Sequence, residues 1–334
     1  MNNMWRAVAR YARQQLVQSN PTDLEQILEL WYLRLLALTK LGLYQLASAE
    51  LDKLGDLSRA ELTFEFHNAI PKQQQDSSSS GSMVPFELRI LAARLPAWLK
   101  YPLVALERLT MLAVHCKKVV VNSISMMHAK EMGPWRQREA QVYLVMATQM
   151  MEMNDYTGAA STMEMVSKQF GTKKDGKQDL DILSALGRLY LQLGDIESAE
   201  KIYGQVDKEG SQNEAIVETV QMNRAFLLMA KGEWNQAAAV LRGILEANKE
   251  NLLVVNNLAV CYVYLGQIST AIELLSTMTT QNPTSAGTCE TAVMNLCTLY
   301  ELRYDPATGH KVNVMKQVAR WVGDSFQADC IKLQ

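Results

Sequence analysis

The sequence predicts an all-α protein, a right-handed α-solenoid of helical hairpins with insertions between them and an atypical C-terminal capping unit. Three observations lead there. Long segments carry apolar residues at helical spacing, short polar breaks separate them, and the strict alternation expected of strands is scarce. A pattern of Gly or Asn, an aromatic or Ile two residues later and Ala three further on recurs along the chain. Twelve residues before each of those alanines stands another residue, small in five of six copies.

In chain order, "LGLYQLASAEL" carries Gly42, Tyr44, Ala47 and Leu51, and a weaker copy, "KYPLVALERL", carries Ala105 and Leu109. "MNDYTGAASTM" supplies Asn154, Tyr156, Ala159 and Met163, and "LGDIESAEKIY" supplies Gly194, Ile196, Ala199 and Tyr203. "KGEWNQAAAVL" gives Gly232, Trp234, Ala237 and Leu241, and "LGQISTAIELL" gives Gly266, Ile268, Ala271 and Leu275. The column twelve residues earlier reads Leu35, Ala93, Ala147, Gly187, Ala225 and Ala259. Two antiparallel helices approach closely only where neither contributes a bulky side chain, so these two columns mark a helix crossing. Gly or Asn between them suits the left-handed conformation that ends a first helix. A helix–turn–helix unit of about 34 residues with this pattern is the tetratricopeptide repeat.

The alanines lie 34 residues apart between Ala237 and Ala271, and the spacing widens to 58 between Ala47 and Ala105. Units near the C-terminus are therefore expected to stack directly, and earlier ones to carry insertions. The expected divisions are 1–70, N-terminal helices with a first hairpin; 71–84, a low-complexity loop; 85–132, a divergent hairpin; and 133–334, a C-terminal array with closing helices. The loop contains "PKQQQDSSSSGS", whose polar composition cannot support a core. A second insertion is expected around "HAKEMGPW", His128 to Trp135. Beyond the last repeat, "TCETAVMNLCTLYELRY" places Asn295, Cys297 and Tyr300 in first-helix columns. A break at "DPATGH" and then "VNVMKQVARWV" read as the closing unit that a solenoid end needs.

Composition narrows the function. With 33 basic and 35 acidic residues among 334, no electrostatic case exists for nucleic acid or anionic lipid as the main partner. Hydrophobic residues make up 48%, enough for a packed core. Five cysteines, an odd number without CxxC or zinc spacing, read as reduced thiols of a cytosolic protein. The N-terminal segment has no apolar signal core, no apolar run reaches the ~20 residues of a membrane span, and Cys330 lies one residue too far from the end for prenylation. The chain is expected to be soluble, with no direct membrane insertion.

Catalytic signals are weak. "GTKKDGKQ", Gly171 to Gln178, fits G-x-x-x-x-G-K, but it follows a helix rather than a strand and lacks the hydroxyl that holds magnesium, so Gly176 and Lys177 are not read as a nucleotide site. His115 and Cys116 are neighbours on a helix and point in different directions. No nucleophile elbow, HExxH or paired carboxylate occurs, and no enzyme activity, cofactor or metal is expected. The methionines, at helical spacing, read as core filler.

What remains is the groove lined by the first helix of each unit. Its expected lining is Met222, Phe226 and Met229, then Leu253, Asn256, Val260, Val263 and Tyr264. The repeat packing itself is assigned to Ala47, Ala105, Ala147, Ala159, Gly187, Ala199, Ala225, Ala237, Ala259 and Ala271. Repeats that clamp a peptide carboxylate need Lys, Arg and Asn in the groove, and Asn256 is the one match among these. A mostly apolar groove suits an amphipathic helix instead.

Four strings go beyond repeat architecture: "GSMVPFELRIL" (81–91), "LWYLRLLALTKLGLYQ" (30–45), "VNNLAVCYVYLGQ" (255–267) and the tail "GDSFQADCIKL" (323–333). From Trp5 to Leu333 the chain resembles the family of subunit twelve of the transport protein particle (TRAPP) complex. The resemblance implies a non-catalytic scaffold subunit of a type III TRAPP assembly, a vesicle tether and Rab-GTPase exchanger in ER-to-Golgi traffic and autophagy. It implies docking on the large subunit eleven, an indirect link to a Rab-family GTPase, and a cytoplasmic protein recruited peripherally to Golgi-region membranes. The alternative is a free-standing tetratricopeptide adaptor for chaperone or cargo proteins.

Overall fold

Three helices, beginning at Leu24, Leu180 and Leu252, start on side-chain caps. The carboxylate or amide oxygens of Asp23, Asp179 and Asn251 accept from the backbone N–H of Gln26, Asp181 and Val254, relieving donors that have no partner inside the helix. The computed structural model describes residues 4–68, 81–125, 129–171, 179–210 and 214–333, and among these it is helical with no strand longer than a single bridge. The all-α expectation holds. Two compact units divide between Asp155 and Tyr156.

The first unit contains α1 (Trp5–Gln18), α2 (Leu24–Lys40), α3 (Tyr44–Leu54), the short α4 (Phe64–Asn68), α5 (Phe86–Trp98), α6 (Pro102–Ser125) and α7 (Ala129–Glu152). The second contains α8 (Tyr156–Phe170), α9 (Leu180–Leu193), α10 (Ile196–Gly210), α11 (Glu214–Ala230), α12 (Trp234–Ala247), α13 (Leu252–Tyr264), α14 (Ile268–Gln281), α15 (Glu290–Arg303) and α16 (Thr308–Val318). Within each unit, successive helices pack on one another apart from the short α4.

Six turns share one construction. Gly42, Lys100, Asn154, Gly194, Gly232 and Gly266 take φ between 62° and 78°. In each, the next N–H donates to the carbonyl five residues back: Leu43 to Leu38, Tyr101 to Pro96, Asp155 to Met150, Asp195 to Tyr190, Glu233 to Leu228 and Gln267 to Tyr262, at 2.8–3.0 Å. This is the Schellman closure, which satisfies last-turn carbonyls and reverses the chain. Five residues beyond the left-handed position, Ala47, Ala105, Ala159, Ala199, Ala237 and Ala271 are wholly buried. Their counterparts on the preceding helices, Leu35, Ala93, Ala147, Gly187, Ala225 and Ala259, are buried as well.

One of these positions shows how tightly the columns are matched in size. A Cβ built on Gly187 would stand 2.3 Å from Cε1 of Tyr203, far inside van der Waals contact. Tyr203 occupies the column four residues after the alanine, where other copies carry Leu or Met. The flat ring needs more room, and glycine on the facing helix supplies it.

The first unit adds two local ties. The Arg34 guanidinium makes a forked pair with the Glu50 carboxylate and donates through Nη1 to the Ala9 carbonyl at 2.8 Å, so one side chain holds α1, α2 and α3. The insertion after α3 leaves and returns at one place. The Phe64 N–H donates to the Gly81 carbonyl at 2.9 Å, and the Met83 N–H to the Leu62 carbonyl at 2.9 Å. Ser82 Oγ accepts from Arg89 Nη2 at 2.6 Å, and Val84 and Phe86 are buried just beyond. The "GSMVPF" string is thus the clasp that closes the insertion and starts α5. Most of the low-complexity segment lies outside the described residues.

The second expected insertion takes another form. Ala129 to Trp135 belong to α7, and the extra residues between Ala105 and Ala159 are taken up largely by two 24-residue helices, α6 and α7. Trp135 then packs edge-on against Phe86, with the Arg138 guanidinium 4.6 Å above its ring. Gly133 and Pro134 lie inside α7, which runs on through them.

Replacing Gly187 by Ala is expected to cost about 2 kcal/mol through overpacking against Tyr203. In a Tyr203→Leu background the same change should become stabilising by roughly 0.5–1 kcal/mol through helix propensity; urea melts of the four chains measure the reversal of sign. Lys100→Gly should raise stability by about 1 kcal/mol, because a Cβ in the left-handed region crowds the following carbonyl; thermal and urea denaturation read this directly.

Candidate protein-interaction surface

Helix α13 is apolar on nearly all sides, so the question is which face remains uncovered. Leu253, Asn257, Val260 and Tyr264 stand at i, i+4, i+7 and i+11, which places them on one stripe. Leu253 is 56% exposed and Tyr264 64% exposed, with Val260 half-buried between them. The buried side of the same helix, Val254, Val255, Leu258, Ala259 and Cys261, faces the cores shared with α11, α12 and α14. Asn257 is turned onto its own helix, with Nδ2 donating to the Leu253 carbonyl at 2.8 Å.

At the far end of the stripe Tyr264 lies flat on Trp234 of α12, ring centroids 3.9 Å apart and planes 2° from parallel. The stack joins neighbouring repeats and presents a rigid aromatic surface. Phe226 and Met229 of α11 are half-buried and lean on the α11–α12 core, and Val263 packs against the core of α13–α15.

Two expected lining residues are placed differently. Met222 is 6% exposed and packs with Ala225, Leu241 and Leu258, so it belongs to the core and not to the groove. Its position at the Ala225 column minus three rotates it toward α12 and α13. Asn256 is tied to the next unit, its Oδ1 accepting from Asn295 Nδ2 of α15 at 2.8 Å, so its amide serves a contact between first helices. A matching bridge occurs earlier, where buried Asn223 donates through Nδ2 to Ser184 Oγ at 2.9 Å. These polar contacts join first helices of consecutive units, and they set register where apolar packing alone would tolerate a slip. Among the stripe residues, Asn257 and the partner ring of Trp234 escaped the sequence reading. The four-residue step from Leu253 marks the first; nothing in the sequence pairs Trp234 with Tyr264, thirty residues on.

The C-terminal tail does not cover this stripe. It folds on α15 and α16, where Ile331 is buried with Val293, Leu296, Val314 and Val318. The Lys311 ammonium, itself buried, donates to the Glu301 carboxylate and to the Lys332 carbonyl, the latter at 2.7 Å. Lys332 Nζ donates to Thr298 Oγ1 at 2.8 Å, and the Gln327 N–H to Glu290 Oε1 at 2.9 Å. The "GDSFQADCIKL" tail is therefore the cap on the last core.

Side chains with reactive chemistry sit elsewhere and are subdued. Burial pushes the thiols of Cys116, Cys261, Cys297 and Cys330 up to about 11, leaving them protonated at neutral pH. His115 packs edge-on against Trp135 and is held below the usual imidazole range, chiefly by burial. Among the described residues no group of three His, Cys, Asp or Glu side chains could hold a metal ion, and no helix is long and apolar enough to cross a membrane. Residues 172–178, with Gly176 and Lys177, lie outside the described residues. Of the methionines, Met146, Met163, Met222 and Met278 are core residues, whereas Met111, Met294 and Met315 are exposed.

Paired helices, small-residue crossings and Schellman turns are the construction of tetratricopeptide repeats, and family models of that repeat match residues 180–208 and 228–287. Over 97% of its length the chain is similar to Trafficking protein particle complex subunit 12 of Mus musculus and of Homo sapiens, at 33% identity to each. It spans 41% of the mouse protein and 44% of the human one, less than half of either. Among solved structures, a thermophilic tetratricopeptide-repeat protein of Thermus thermophilus is 20% identical, with a TM-score of 0.42 over 54% of this chain and 92% of that one. A tetratricopeptide-repeat protein of Parabacteroides merdae is 11% identical, with a TM-score of 0.45 over 74% of this chain and 96% of that one.

Ile331→Ala is expected to cost about 3 kcal/mol by opening a cavity in the terminal core. Because repeats depend mainly on their neighbours, hydrogen exchange should rise in α15 and α16 and stay unchanged in α9 to α12.

Proposed function

We propose that this chain is a non-catalytic scaffold subunit of a TRAPP vesicle-tethering complex, with the α13 stripe as one of its subunit contacts. The observation that supports this best is the 33% identity to subunit 12 across 97% of the chain. The stripe is the kind of surface such a role needs: Leu253, Val260 and the Trp234–Tyr264 stack offer a preformed apolar strip to the apolar face of a partner helix. In the finer form of this reading the partner is the large subunit eleven, the assembly is the type III complex, and the link to a Rab-family GTPase is indirect, through other subunits. The protein then works from the cytoplasm in ER-to-Golgi traffic and autophagy, recruited to membranes by its complex.

The test is size fractionation of native lysate expressing a tagged chain. It should elute with a large assembly containing other TRAPP subunits, and Leu253→Glu with Val260→Glu should shift it to the monomer position with helicity and melting temperature near those of the parent. Elution of the parent as a small species, free of TRAPP subunits, would instead mark a free-standing adaptor for chaperone or cargo proteins.

A further inference from the structure

Among the six hairpin turns, five fill the left-handed position with Gly or Asn, the residues that reach it at least cost. The sixth uses Lys100, at φ 70°. A strained residue of this kind persists where something else favours it, and such residues gather at ligand clamps and binding sites. Lys100 stands at the rim of a cleft of about 670 Å³ between the turn after α2 and the turn after α5, inside the first unit.

The cleft is mostly apolar, with Gln45 and Lys100 as the polar side chains in its lining. Leu43 and Leu46 line one side and are exposed; Tyr44 and Trp98 stack at 5.6 Å to form a wall. Beyond the rim Tyr101 and Leu103 add apolar surface, Leu103 being 71% exposed. Lys100 is the one charged side chain lining it among the described residues, and it makes no ion pair there. The nearby guanidinium of Arg94, 5.1 Å from the Trp98 ring, is already paired with Glu152 at 3.1 Å. No acid among the described residues lines the cleft, so the charge left to be met is positive.

We propose that this cleft docks a short segment of a partner protein in which a leucine or aromatic side chain stands next to an aspartate or glutamate. The apolar side chain enters between Leu46 and the Tyr44–Trp98 wall, and the carboxylate pairs with Lys100 Nζ. A lone cation at the rim is too little to hold an anionic membrane, which takes clusters of basic residues. A second copy of this chain is also disfavoured, because a two-fold contact centred here would bring Lys100 against Lys100. The site is separate from the α13 stripe, and does not rest on the identity of the complex.

The experiment is a random-peptide display selection on the intact chain, followed by titration of the best synthetic peptide. Selected sequences should share an apolar residue beside an acidic one. Leu46→Asp and Lys100→Glu should each weaken the peptide about tenfold or more, and a peptide with lysine in place of the acid should bind Lys100→Glu better than it binds the parent chain. Lys100→Gly should bind several-fold more weakly while melting higher, which separates lost binding from lost folding. Selection without this consensus, or equal binding by the parent and all three variants, overturns the proposal. Self-association, or binding to phosphatidylserine vesicles, that Leu46→Asp abolishes would also overturn it and assign the cleft to a second copy or to a membrane.

Discussion

Two helices can lie side by side at short range only where their facing side chains shrink to a methyl group or less, and the hairpins within each unit are organised around that requirement. The alanine that opens each second helix is wholly buried in all six copies. In five of six its counterpart on the preceding helix is Ala or Gly. Bulk is then returned one turn later by Leu, Met or Tyr, so that close approach and filled volume alternate along the crossing. Gly187 and Tyr203 show the rule at its limit, where one larger ring removes the last methyl group from the facing helix. A bulky side chain in either column would push the helices apart and displace every unit stacked beyond them.

The turn geometry serves the same crossing. A left-handed residue five positions before the alanine reverses the chain within three residues and gives last-turn carbonyls a partner. Since the backbone at that point is fixed by hydrogen bonds, its side chain is free to vary where the strain is tolerated. Asn154 and Lys100 are the departures, and Lys100 sits beside the exposed aromatic and leucine surface of the first unit. A packing device with a spare position becomes a place to put a charge.

Polar contacts do a different job from the apolar columns. Asn223 with Ser184 and Asn295 with Asn256 tie first helices of consecutive units, and Arg34 ties three helices through one guanidinium. Apolar cores tolerate small sliding, whereas a buried amide loses its partner if the register moves. At the C-terminus Lys311, Glu301 and Lys332 close the last core in the same way, so the tail serves as cap and leaves the α13 stripe open.

The fold was legible in the sequence because its requirements are local. Gly, Ala and helical periodicity recur within 34 residues, and the conformations they demand follow from a residue and its near neighbours. The weak copy at Lys100 carries the same turn as the others, since hydrogen bonding and not glycine closes it. The surface was legible only in part. Leu253 and Tyr264 stand exposed, yet Met222, in a neighbouring column of α11, is buried, and Asn256 commits its oxygen to Asn295. Those outcomes depend on how far each helix is rotated by the units before and after it. So does the stacking of Trp234 on Tyr264 and the folding of the tail onto α15. The sequence by itself determined that hairpins form and where they turn, because the forces involved act within one unit. Which faces stay open was decided only by tertiary packing, because exposure at each residue depends on neighbours far away in the chain.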